Sequence, residues 1–369
     1  MPVAAATMES RVRGNDAGAR GGAGSHTQAV TFPPLPARGI ITLTEHGCCG
    51  IVMVKETTMT ATVDLTNPIF TDADKAREHF EAIRWPNGPY CPYCGQFDTV
   101  KALGGKSMGP GWYHCKDCRR KFTAQVGTIY ERSHIPMTKW LLATHLMCAS
   151  KKGMSAHQLH RMLGLPYKTA WFMAHRIREG MRELNPVGPL GGEGKSVEFD
   201  ETYVGGKEKN KHRSKRDAAN IGGRGKEIVL ALVERKGRVR SHHVPSVSGK
   251  TLGPILEKQI DRASHVFTDD GGARVGREFP NHVAVNHSIG EYVRGDAHTN
   301  TIEGYFSIMK RGITGTYHHV SAQHLKRYLA EFDFRYNERD ALKVTDAERA
   351  VKAVAGVVGK RITYQQTNV

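Results

Sequence analysis

Three carboxylates, Asp200, Asp269 and Glu303, sit at positions from which they could hold divalent metal ions. Mg2+ and Mn2+ take oxygen ligands, and three acids gathered from distant parts of a chain can hold two ions about 4 Å apart. One ion then activates an attacking water or 3′ hydroxyl, and the other stabilises the departing oxygen of a phosphodiester. Glu303 lies in His298-Thr-Asn-Thr-Ile-Glu-Gly-Tyr-Phe-Ser-Ile-Met-Lys-Arg311, where Thr299 or Asn300 can cap a helix start. Ile302, Phe306 and Met309 recur at helical spacing and predict an inward stripe, leaving Glu303, Ser307 and Lys310 together on a neighbouring face. Glu303 and Lys310 would stand two turns and roughly 10 Å apart.

Two further clusters carry ligands of another kind. Cys91-Pro-Tyr-Cys94-Gly and Cys115-Lys-Asp-Cys118 form two Cys-x-x-Cys pairs separated by twenty residues. Four thiolates in two tight knuckles suit a structural, tetrahedral Zn2+, and the segment between them can form the strands of a zinc ribbon. Tyr113, Lys116, Arg119, Arg120 and Lys121 would add a basic, partly aromatic surface able to lie on a phosphate backbone. Cys48, Cys49 and Cys148 have no obvious partners, which speaks for a reducing compartment rather than a disulfide framework.

The elements that must position these groups follow from periodicity. A capped helix is expected from Thr71 to Trp85, with Ala76, Phe80 and Ile83 on one face. After the cysteines come three helices, Met137–Ala149, Ser155–Leu163 and Tyr167–Met181, the last two joined across Gly-Leu-Pro at 164–166. That pair fits a helix-turn-helix. Ala170, Ala174, Ile177 and Met181 would face its core, so Lys168, Thr169, Phe172, His175 and Arg176 are the candidates for a DNA groove. A plain packing unit of three helices reads the same way.

Beyond a Gly- and Pro-rich linker at 185–195, Ser196–Val204 alternates, with Glu198, Asp200 and Thr202 on one face. Residues 205–226 carry eight Lys or Arg against two acids, a loop too charged for a core. Strands are expected at 228–233 and 239–247, a helix at 250–263 and a short strand at 266–270 that ends on acids. Strand, strand, strand, helix, strand and then helices is the order of an α/β ribonuclease-H-like domain. Other α/β folds share that order.

With 369 residues the chain can build several cores, and its net charge of +17 and pI near 9.6 favour a polyanionic partner. No hydrophobic run has membrane-spanning length, so nucleic acid is the favoured partner over a membrane. Residues 1–58 lack sustained periodicity and are expected to be disordered, or an over-extended reading frame upstream of Met53 or Met59. They also lack the pattern of a secretory signal.

Over about residues 60–340, with Arg84-Trp85-Pro86 as its first motif, the chain resembles the DDE transposases of bacterial insertion sequences, in the zinc-ribbon-bearing ISXO-type branch. The resemblance rests on Cys91-Pro-Tyr-Cys94, on Phe199-Asp-Glu-Thr-Tyr-Val-Gly-Gly-Lys207, on Thr268-Asp269 and on His298–Glu303 with Lys310-Arg311-Gly. It continues in Gly315–Ser321 and in Phe332-Asp-Phe-Arg-Tyr-Asn-Glu-Arg339. It implies an enzyme that binds terminal inverted repeats, cleaves to free 3′ hydroxyls and joins them to target DNA as a homo-oligomer in the bacterial cytoplasm, at the nucleoid. Asp200, Asp269 and Glu303 would be its Mg2+ or Mn2+ triad, with Lys310 and the adjacent Arg311 contacting DNA. The interval of 34 positions between Asp269 and Glu303 agrees with the family's spacing. Asp270, Glu201 and Asn300 are near neighbours of that triad.

The expected organisation is an N-terminal segment 1–58, a helix and zinc ribbon at 59–130, a helix-turn-helix at 131–184 and a linker at 185–195. The catalytic domain then occupies 196–345, and a C-terminal helix and tail 346–369. Two other readings use the same residues: a ribonuclease-H-like nuclease that does not join ends, and a domesticated DNA-binding regulator that cuts nothing.

Overall fold

The computed structural model describes residues 64–363, apart from 106–107, 207, 218–219 and 221–222. The expectations for residues 1–58, and Cys48 and Cys49 with them, lie outside the described residues. Among the described residues, no helix is long and apolar enough to cross a membrane.

Asp72 accepts the amides of Asp74 and Lys75 and starts α1 (Ala73–Arg84), whose Ala76 and Phe80 turn inward. A three-stranded antiparallel sheet follows, β1 (Val100–Leu103), β2 (Trp112–Cys115) and β3 (Lys121–Thr123). Three helices come next: α2 (Met137–Ala149), α3 (Ala156–Leu163) and α4 (Tyr167–Met181). Ser155 caps α3, and Gly164, at φ +59°, ends it in the left-handed conformation that a side chain disfavours. One continuous apolar core runs through α1, the small sheet and α2 to α4. The last helix, α9 (Asp346–Ala355), returns from the far end of the chain to complete it with Ala353 and Val354.

The second half is built on a five-stranded mixed sheet. Its strands are β4 (Ser196–Val204), β5 (Glu227–Glu234), β6 (Val239–Val244), β7 (His265–Thr268) and β8 (Asn281–Ala284), in the order β6-β5-β4-β7-β8. β4–β5 and β5–β6 pair antiparallel, and β4–β7 and β7–β8 parallel. Helix α5 (Gly249–Gln259) and the short α6 (Ala273–Gly276) cover one face through Leu252, Leu256 and Val275. A two-stranded hairpin, β9 (Val293–Arg294) and β10 (Ala297–His298), leads into α7 (Asn300–Gly312), and α8 (Ala322–Asn337) follows. Helices α7 and α8 cover the other face through Ile302, Phe306, Leu325 and Leu329. This mixed sheet with its helices fits a ribonuclease-H-like fold, as the order of elements predicted.

The motif from Phe332 to Arg339 has a structural explanation. Strand β6 is an edge, and an edge exposes unpaired backbone groups. Asn337 accepts the amide of Val239 at 2.6 Å and donates to its carbonyl at 3.0 Å, while Asp333 accepts the amide of Ser241 at 2.8 Å. Two side chains one helical turn apart thus replace a neighbouring strand. Glu331, on another face of α8, is fully buried between Arg178 of α4, at 2.6 Å, and Arg335. That pairing fastens the three-helix region to the sheet half of the molecule.

Candidate active site and metal centre

Strand β4 is central in a sheet covered on both faces: Val197, Phe199, Leu230 and Leu232 are buried on one, and Val204, Val229, Ala231 and Val233 on the other. It pairs with β7 in parallel from Ser196↔His265 to Glu198↔Phe267, and continuing that register by two residues sets Asp200 beside Asp269. The amide of Glu201 donates to Asp200 Oδ1 at 2.7 Å, and the amide of Gly272 donates to Asp269 Oδ1 at 2.9 Å. Burial pushes Asp200 up to about 7, and the charges of Asp269, Glu201 and Glu303 add to it. A half-buried carboxylate that feels the charges of three others is a donor set suited to a hard divalent ion.

Glu201 is the fourth acid of this group, and strand alternation would have sent it to the opposite face. A Cβ on Gly271 would meet Asp269 Oδ1 at 3.3 Å and Glu201 Oε1 at 3.7 Å, so both carboxylates flank that glycine. Burial and Asp269 together raise the Glu201 carboxyl. Asp270 is exposed and accepts Ser288 Oγ at 3.4 Å, and Asn300 is exposed at the helix start.

Helix α7 is held by a residue that the sequence reading passed over. Glu198, two positions before Asp200, has no solvent exposure. Its carboxylate accepts the Ile302 amide at 2.9 Å, the Thr301 hydroxyl at 2.8 Å and Arg235 Nε at 2.6 Å. Arg235 also donates to the carbonyls of Asp296 and His298, at 2.8 and 2.9 Å. The free amides of a helix start attract a carboxylate, so β4 carries one acid for the site and another that clamps the helix bearing Glu303. Its signal in the sequence was a charged residue at an alternate position of an otherwise buried strand.

Thr299 Oγ1 donates to Glu303 Oε1 at 3.1 Å. Glu303, Ser307, Lys310 and Arg311 are exposed while Ile302, Phe306 and Met309 are buried, the split that the spacing predicted. Arg311 Nε donates to the Ser307 carbonyl at 3.1 Å, whereas Lys310 makes no ion pair among the described residues.

The four cysteines come together as expected. Their Sγ atoms all lie within 4.8 Å of one another, with Cys91–Cys118 at 3.5 Å and Cys94–Cys115 at 3.6 Å. Tetrahedral zinc–thiolate bonds of about 2.3 Å require sulfurs about 3.8 Å apart, so the cluster fits zinc. The knuckles turn through Gly95 at φ +79° and Arg119 at φ +58°. Lys116, Arg119, Arg120 and Lys121 are exposed, and Arg120 lies 4.7 Å over the ring of Tyr93. Tyr113 does not join that surface: it donates to Glu81 of α1 at 3.1 Å and packs on Trp85.

The candidates on α4 divide. Lys168 is exposed and Thr169 half-buried, but His175 is 1% exposed and Arg176 7%, so neither can enter a groove. Burial, with Arg178, His324 and Arg327, pushes His175 down to about 2, and the neutral ring packs 4.2 Å from Trp171 and 4.7 Å from His324. Arg176 donates to the Glu131 carbonyl at 2.7 Å and covers Trp140 and Phe172. The sequence argument allowed α4 one buried face, and it has two, because α8 packs against it as well as the N-terminal core. The exposed side of the helical pair instead carries His157, Gln158, Arg161, Tyr167 and Lys168, with the rings of His157 and Tyr167 stacked at 4.2 Å.

Comparison with known proteins agrees with this anatomy. Residues 189–337 match the ISXO2-like transposase domain, and residues 71–121 match the transposase zinc-ribbon domain. The uncharacterized protein in transposable element ISH50 of Halobacterium salinarum is 31% identical over 298 residues, which cover 74% of this chain and 96% of that protein.

Proposed function

Because this chain belongs to the ISXO2-like family of transposases, we propose that it binds the terminal inverted repeats of an insertion sequence, cleaves to free 3′ hydroxyls and joins them to target DNA. The observation that supports this reading is that the charges of Asp269 after β7, of the adjacent Glu201 and of Glu303 on α7 add to burial in raising the carboxyl of Asp200 on β4. Asp200, Asp269 and Glu303 would hold Mg2+ or Mn2+. When bound, such ions supply a more acidic nucleophile and charge stabilisation at the leaving oxygen.

The chain's own groups do the positioning. Gly272 and the amide of Glu201 orient Asp269 and Asp200, Thr299 orients Glu303, and Glu198 with Arg235 fixes the helix. Lys310 and Arg311, on the exposed face that carries Glu303, would neutralise phosphates of the bound strand. Zinc holds the ribbon, whose cations would lie on the backbone, and α3 with α4 would act as a helix-turn-helix reading the repeat through Tyr167 and Lys168 at the start of its second helix. A homo-oligomer would hold both ends of the element.

The test is Mg-dependent cleavage and strand transfer on a duplex spanning the repeats that border the gene. Asp200→Ala should abolish both and leave end binding intact; retained cleavage overturns the triad. Hydrolysis without joining by the wild-type protein would assign it to the nucleases, and binding without cleavage to the regulators.

A further inference from the structure

Helix α7 does not stop at Gly312. Ile313 keeps helical angles, φ −61° and ψ −47°, and the chain runs straight on into a π-helical turn, Ile313–Tyr317. That turn takes in the first three residues of the Gly315–Ser321 motif, which the site described above does not use. Glu303, Lys310 and Tyr317 are seven residues apart, close to two α-helical turns each time, so an unbroken α-helix would leave Tyr317 near their exposed face. A π-turn takes in an extra residue and changes that bearing, and such turns concentrate at functional sites.

Tyr317 turns toward α8 instead. Its hydroxyl donates to Glu331 Oε1 at 2.7 Å, and its ring lies 4.7 Å from that of Tyr328 and 6.2 Å from that of Phe332. His318 follows at φ +60° and ψ −46°, a backbone conformation that a residue with a side chain keeps only where its surroundings hold it. Arg178 of α4 donates to Glu331 Oε2 at 2.6 Å and lies 5.2 Å over the Tyr317 ring, so one buried carboxylate joins α4 to the end of α7. The loop 150–153, between α2 and α3, closes the other side. Ser150 Oγ donates to the Gly153 carbonyl at 2.7 Å. A Cβ on Gly153, at φ +94°, would collide with the Tyr317 hydroxyl, and one on Gly312 would meet the Lys152 carbonyl at 2.7 Å. The end of α7 therefore sits in a socket made by α8, α4 and this loop.

We propose that Tyr317 is a positioning residue for Glu303: by docking the end of α7 on Glu331 and Arg178, it fixes the bearing of the helix that presents this acid and ties it to the helical pair. The inference rests on the reading of Asp200, Asp269 and Glu303 as a divalent-metal site. Glu198 holds only the first turn of α7. The apolar packing of Ile302, Phe306 and Met309 is non-directional and tolerates small rotations. A directional bond at the far end supplies the second fixed point that a rigid helix needs.

The experiment uses the zinc-loaded full chain and Tyr317→Phe, which keeps the ring and loses the bond to Glu331. Mn2+ is titrated in the absence of DNA and the free ion read by electron paramagnetic resonance; the site in question is the one that Glu303→Ala loses. Tyr317→Phe should bind that Mn2+ about 10-fold more weakly, within the range of couplings between distant sites. Cleavage of a terminal-repeat duplex should fall by the same factor at limiting Mg2+ and approach wild type at saturating Mg2+, with end-DNA affinity unchanged. Asn337→Ala loosens the β6 edge instead and should keep the wild-type Mn2+ affinity, which separates positioning from loss of stability. Wild-type Mn2+ affinity in Tyr317→Phe, or an equal loss in Asn337→Ala, would overturn the inference. A wild-type chain that binds Mn2+ but does not cut the duplex would remove the transposase reading alone. One without a Mn2+ site would remove the acidic metal site and this inference together.

Discussion

Glu198 accepts the backbone amide of Ile302 at 2.9 Å, which ties the strand of Asp200 to the first turn of the helix of Glu303. Because this carboxylate is buried and paired with Arg235, it acts as a rivet between two ligand-bearing elements. Glu198→Gln keeps the shape but loses the charge opposite Arg235. Mg-dependent cleavage should fall by about 100-fold, the effect of misplacing a reacting group by about 1 Å, with end-DNA affinity unchanged. A cleavage time course beside a binding isotherm checks this, and equal losses in both would point to general unfolding.

Removal of zinc should act on the ribbon and spare the acids. Cys91 and Cys115 are fully buried among Trp85 and Phe122 in the N-terminal core, and a small segment without its metal cannot hold this arrangement. Cys91→Ser together with Cys94→Ser should lower the zinc content measured by atomic emission and weaken end binding. Unchanged zinc would contradict the assignment.

Glu331 predicts a dependence of stability on pH. Two buried guanidinium groups, Arg335 and Arg178, hold its carboxyl down to about 2 against an ordinary 4.5, outweighing the effect of burial. A depressed carboxylate contributes stability that is present above about 4.5 and lost as pH falls toward the folded value. Glu331→Gln leaves both arginines without their counter-charge and should cost about 3–5 kcal/mol near pH 7. Urea denaturation should show that difference shrinking as the pH is lowered below 4.5.

Asn337 stands in for a strand beside β6. Asn337→Ala removes two hydrogen bonds and leaves Val239 unpaired on both backbone groups, at a cost of about 2–4 kcal/mol. The bared edge should also promote self-association. Hydrogen exchange at Val239 and light scattering on the variant measure the two effects.

On the helical pair, Lys168→Ala should lower DNA affinity and reduce the salt slope by about one. His175→Ala should leave that slope unchanged and lower the thermal midpoint, because His175 is a core residue. Affinities at several salt concentrations separate the two.

Cysteine spacing and the apolar stripe of Ile302, Phe306 and Met309 were legible in the sequence because each is a local pattern. Ligand spacing and helical period survive whatever packs around them. The order of strands and helices likewise predicted the mixed sheet, since right-handed connections leave few ways to close it. His175 and Arg176 were misread as groove residues because burial on the second side of α4 depends on α8, about 150 residues further along the chain. Glu198, Asp333 and Asn337 are polar residues whose roles depend on distant partners: Arg235 and Ile302 for the first, the edge of β6 for the others. Residue types and spacing thus determined which chemistry the chain can carry, while only the tertiary structure decided which charges are buried and with whom. A buried polar group takes its role from the partner that satisfies it, and packing brings that partner from elsewhere in the chain.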